Sequence, residues 1–96
     1  MSILLIEYAI YGRITQDNKQ NESYDKNVTM DVKTKLTSLM KDSGIIKITN
    51  QTMGNDPCIG THKKLIIKIN GVIHTYDEGG TVNMNELFTE AVFNNF

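Results

Sequence analysis

The 96-residue chain is 40% hydrophobic and 22% charged, with ten Lys and Arg against eleven Asp and Glu for a net charge of -1. These values exclude a disordered chain and a multidomain one. A balance this close to neutral supplies no field for a polyanion, so nucleic acid is not an expected partner. A core this small also leaves little room for a deep enzyme cleft. The single cysteine, Cys58, excludes an internal disulfide framework and gives secretion no support, so an intracellular setting is expected.

Residues 3–11 alternate with apolar side chains on both faces, Leu4, Ile6, Tyr8 and Ile10 against Ile3, Leu5, Ala9 and Tyr11. This predicts an inner strand covered on both sides. Its opening run of four apolar residues, broken by Glu7, is too short for a signal or a membrane span. Over 15–27 the chain is polar without an apolar period, which predicts a solvated, mobile loop. Val32, Leu36, Leu39 and Met40 recur at helical spacing between a capping Asp31 and a terminating Gly44, predicting an amphipathic helix over 31–42.

Residues 45–49 are β-rich and lead into a long ordered loop over 50–61 that holds the only proline. Two β-rich runs then flank Asn70-Gly71, the pairing that favours a two-residue type I′ turn. That turn sets the register: Ile69 faces Val72, Lys68 Ile73, Ile67 His74, Ile66 Thr75, Leu65 Tyr76 and Lys64 Asp77. One face of the hairpin is apolar except for His74, which is expected to be buried beside Ile67. Thr81 and Val82 resume a strand. Asn83, with Glu86 three residues on, caps a second amphipathic helix over 84–94 that carries Met84, Leu87, Phe88, Ala91 and Val92 on one face.

Several of these features share an order and spacing with a known domain. They are Tyr11-Gly12, Asp31-Val32 opening a Lys-Leu-x-x-Leu helix, Lys41-Asp42, and Asn50 with Gly54-Asn55-Asp56-Pro57-Cys58-Ile59-Gly60. Lys63-Lys64-Leu65, Gly71-Val72 and Glu78-Gly79 complete the set. Over residues 3–80 the chain resembles the DnaJ-like protein C-terminal domain family, the end module of a mitochondria-associated J-protein and of related stand-alone domains. The resemblance implies a compact β-rich accessory or interaction module without catalytic residues. The chain lacks the His-Pro-Asp tripeptide of a J-domain, so the resemblance does not extend to Hsp70 stimulation. It departs from the pattern in an Asn-rich insertion before Asp31 and in the helical tail over 81–96.

Cys58 and His62, four residues apart with Asp56 close by, raise a metal site or a thiol nucleophile. Strand alternation opposes this, because His62 falls on the face of Lys64, Ile66 and Lys68 while His74 falls on that of Leu65, Ile67 and Ile69. No metal, cofactor or catalytic residue is assigned. Lys63, Lys64 and Lys68 read as a small solvated basic stripe. Three Asn-x-Ser/Thr triplets, at Asn21, Asn27 and Asn50, are expected by chance in an Asn- and Thr-rich chain, whose nine lysines against one arginine suggest an AT-rich coding genome.

The expected fold is a single α+β domain over 1–96, dominated by an antiparallel β-sandwich-like core with two short helices. A single sheet with both helices on one face is the alternative. The expected function is a non-catalytic protein-interaction or structural module, with Asp56, Pro57, Cys58 and Gly60 as a candidate binding loop. Phe93 and Phe96 are a candidate interface for a protein partner or for self-association. Its competitors are a small thiol enzyme or hydrolase using Cys58 and His62, and a carbohydrate- or ligand-binding sandwich using the 50–61 loop.

Overall fold

The computed structural model describes residues 6–93, with side chains described to residue 89; Phe93 and Phe96, as a candidate interface, lie outside the described side chains. The fold is α+β, with two antiparallel sheets. Strands β1 (Ile6–Gly12), β2 (Thr29–Asp31), β4 (Lys64–Ile69) and β5 (Val72–Asp77) form one sheet in the order β2-β1-β4-β5, and β3 (Ile45–Lys47) pairs with β6 (Thr81–Asn83) in a second. Four helices complete the domain: α1 (Gln16–Asn21), α2 (Lys33–Asp42), α3 (Asn50–Met53) and α4 (Met84–Phe93).

All six hairpin pairs fall in the register that Asn70-Gly71 dictates. Both turn residues take positive φ, 51° and 82°, as a type I′ turn requires. The Gly71 N–H is also held by the Glu7 carboxylate at 2.7 Å, which ties the turn to β1. β1 lies between β2 and β4, as its double apolar alternation predicts.

On one face of the four-stranded sheet, Ala9 and Tyr11 of β1 and Leu65, Ile67 and Ile69 of β4 pack with Leu36, Ile46, Met53, Val82, Met84 and Leu87. This core therefore joins the large sheet to α2, α3, α4 and the small sheet. Each such buried aliphatic side chain contributes about 1.5–3 kcal/mol.

The opposite face is covered too. Ile66 is fully buried outside that core, between Ile10 and Thr75 in the register, and Ile14 is buried at 8% exposure.

Within the segment over 15–27, expected to be a loop, residues 16–21 form α1 and the rest is turn and irregular backbone. Thr15 and Asn18 make a reciprocal capping box: the Asn18 N–H donates to the Thr15 hydroxyl at 3.1 Å and the Thr15 N–H to the Asn18 side-chain oxygen at 3.0 Å. Glu22 ends the helix in the left-handed conformation. Helix α2 starts two residues later than expected because Asp31 belongs to β2, and its carboxylate accepts from the Lys33 N–H at 2.9 Å. α3 forms inside the long 50–61 loop, capped by the Thr49 hydroxyl at 3.0 Å from the Thr52 N–H. Asn83 caps α4, accepting from the N–H groups of Asn85 and Glu86. His74 faces Ile67 as expected but is only half-buried, because β5 is the last strand of its sheet.

Candidate functional site

The candidate binding loop follows α3. Gly54 ends that helix at φ 106°, and Gly60 (φ 81°) closes the turn in which the Thr61 N–H meets the Cys58 carbonyl at 3.3 Å. Asp56 organises the interior of the loop, its Oδ1 accepting from the Cys58 N–H at 3.1 Å. Pro57 and Cys58 are half-buried, while Ile59 at the tip is 86% exposed.

Lys63 anchors this loop from within. The alternation that carries Leu65, Ile67 and Ile69 into the core places Lys63 on the same face one residue before β4, and it is 3% exposed. Expecting it on a solvated stripe was an error of parity: two residues before Leu65 is a core-facing position. Burial of a cation there requires anions, and the fold supplies them. Lys63 Nζ lies 3.0 Å from Asp56 Oδ1 and 3.7 Å from Glu78 Oε1, and donates to the Thr61 carbonyl at 2.8 Å. Glu78 extends the hairpin register by one pair, its N–H meeting the Lys63 carbonyl at 3.0 Å and its Oε1 accepting from the Lys63 N–H at 2.9 Å.

Tyr11 completes the cluster, donating its hydroxyl to Asn50 Oδ1 at 2.6 Å. Burial, reinforced by the negative charges of Glu78 and Asp56, pushes the Tyr11 phenol up to about 12. Burial also works against the charge on Lys63, but the Asp56 and Glu78 carboxylates outweigh it and hold the ammonium above its ordinary value. Tyr11, Asn50, Asp56, Lys63 and Glu78 come together from three separate stretches of the chain.

Cys58 and His62 do not form a pair. Cys58 contributes its backbone N–H to Asp56, whereas His62 is exposed with Nε2 3.7 Å from Asp77 Oδ1. Asp77 also accepts from Lys64 Nζ at 2.8 Å, the contact the register predicts, and Lys64 holds the Asp77 carboxyl below its ordinary value. Among the described residues, no three His, Cys, Asp or Glu side chains converge as a metal site, and no helix is long and apolar enough to cross a membrane.

A second polar cluster, unforeseen in the sequence, covers the other sheet face. The Glu22 carboxylate accepts from the Tyr8 hydroxyl at 2.9 Å and from Lys68 Nζ at 2.7 Å. The Tyr8 and Tyr24 hydroxyls are 3.0 Å apart, with their rings edge to face at 5.7 Å between centroids. Lys68, followed by Tyr8, holds Glu22 below its ordinary carboxylate value, and burial raises the Tyr8 phenol. Nothing in the sequence pairs residue 22 with 68, since the contact depends on the sheet order.

No protein-family model, curated protein or solved structure matches the chain.

Proposed function

We propose that the chain is a non-catalytic protein-interaction module that uses Asp56, Pro57, Cys58 and Gly60 to present Ile59 to a partner. The observation that carries this reading is Ile59 itself, a large aliphatic side chain 86% exposed at the tip of a loop held from below by a buried lysine. A pre-organised loop loses little conformational entropy on binding, so an apolar anchor on it is used efficiently. The resemblance to the DnaJ-like C-terminal domain family supports the same reading, because it implies an accessory module without catalytic residues.

Partner capture with the intact chain, its Ile59→Asp variant and an Ile45→Asp variant tests the proposal. Ile45 is 60% exposed elsewhere and serves as the control. A partner lost with Ile59→Asp and kept with Ile45→Asp is the expected result; equal recovery with all three overturns the assignment of the loop. The competing thiol enzyme is tested on Cys58. Labelling at neutral pH much faster than a model thiol favours the enzyme, and slow labelling favours the module.

A further inference from the structure

The outer edge of β5 ends the large sheet. In a two-residue hairpin the residues flanking the turn exchange both ladder bonds, and bonded and non-bonded pairs then alternate. Val72, His74 and Tyr76 therefore bond to β4, while the backbone groups of Ile73, Thr75 and Asp77 point away from it. The Asp77 carbonyl is taken by the Gly80 N–H at 3.1 Å. Both groups of Ile73 and Thr75 and the N–H of Asp77 have no hydrogen-bond partner among the described residues.

This edge lacks the usual protection. It runs six residues without proline or bulge, and Asp77 is its only Asp, Glu, Lys or Arg. Beside it, α1 and β5 flank an open, shallow cleft of about 250 Å³ lined by Gln16, Lys19, Gln20, Ile73 and Thr75. Ile73 and Thr75 are the residues whose backbone faces outward. Lys19 has no carboxylate within ion-pair distance among the described residues.

We infer that the outer edge of β5 takes an extended peptide segment of a partner protein as an added strand, with an acidic side chain of that segment reaching Lys19 in the cleft. The main-chain bonds at Ile73 and Thr75 supply affinity, and the cleft supplies selection through alternate side chains. The inference rests on the interaction-module reading but names a surface separate from the Ile59 loop.

The probe is a random peptide library displayed on phage, selected on the intact chain. Enriched peptides are measured by fluorescence polarisation against Thr75→Pro, Lys19→Glu and Ile59→Asp variants whose folding is checked by circular dichroism. Thr75→Pro removes an outward N–H without touching the β4 ladder. Should it unfold the domain, Ile73→Glu, which charges the cleft, replaces it.

Expected are peptides alternating β-branched or aromatic residues and carrying Asp or Glu. Their binding should fall about tenfold or more with Thr75→Pro and about fivefold with Lys19→Glu, and should weaken as salt rises. Absence of any peptide above background, or affinities unchanged in both edge variants, overturns the inference. Peptides lost with Ile59→Asp but kept with Thr75→Pro overturn the edge and leave the interaction module standing. A native dimer that Thr75→Pro converts to a monomer assigns the edge to a second copy and overturns the peptide.

Discussion

Lys63 shows what one buried charge requires of its surroundings. Its ammonium has a carboxylate at 3.0 Å, another at 3.7 Å and a carbonyl at 2.8 Å, so removing it leaves Asp56 and Glu78 facing each other without a cation. Lys63→Met is therefore expected to lower the melting temperature well beyond Lys64→Met, whose ammonium is at the surface, and to speed thiol labelling of Cys58 as the loop loosens. Equal melting temperatures and equal labelling would refute the anchoring role.

Tyr11 gives the same cluster a pH signature. Its phenol titrates near 12 in the fold against 10.0 in the open chain, so its contribution is complete below about pH 10 and disappears as pH rises toward 12. Tyr11→Phe is expected to flatten the fall in stability over that window, measured by urea unfolding at a series of alkaline pH values. The run of Lys63, Lys64 and Lys68 reads as a solvated stripe, yet parity with Leu65 marks Lys63 as inward, and an inward lysine calls for carboxylates. Which carboxylates answer is a question of tertiary arrangement, since Asp56 and Glu78 are 22 positions apart.

Among the elements, the β4–β5 hairpin was fully legible because two independent signals, the period-2 pattern and the Asn-Gly turn, select one register. Its most sensitive point is Gly71, at φ 82° with its N–H on Glu7. Gly71→Val forces a β-branched residue into that conformation and is expected to cost about 1–3 kcal/mol, measured by denaturant unfolding. Lys64→Ala, which removes only an exposed pair, should unfold close to the native midpoint. Helix α2 was legible through its apolar spacing and α4 through its cap, although Asp31 is taken by β2. α1 was not legible, because a six-residue helix without a buried side chain has no apolar period to detect. The Thr15 and Asn18 capping box was its only local mark.

At the scale of the molecule, the large sheet is covered on both faces by different chemistry. One face holds the aliphatic core; on the other, Ile66 lies under a covering segment that is fastened by Glu22 to Lys68 and Tyr8. Lys68 and Tyr8 depress the Glu22 carboxyl in the fold, so this fastening is complete above about pH 4.5 and is lost as pH falls below it. Hydrogen exchange is expected to show α1 opening at acid pH while β4 stays protected, and Glu22→Gln should bring that opening to neutral pH. Uniform protection across the pH range would contradict it. The α+β class and the inner position of β1 were legible in the sequence. The second covered face was legible only as a hint, in the apolar residues on both sides of β1.

The position of β1 between β2 and β4 also has a consequence during synthesis. β1 leaves the ribosome roughly fifty residues before β4, its main partner, which amounts to a wait on the order of 3–10 s at ordinary elongation rates. Throughout that interval a segment apolar on both faces has only the three residues of β2 to pair with. An apolar segment is thus exposed before its partner exists, whereas the two strands of the β4–β5 hairpin are adjacent in sequence and can meet within microseconds of emerging. Pairing of β1 with β4 is consequently a long-range contact, the kind whose loop-closure entropy slows folding.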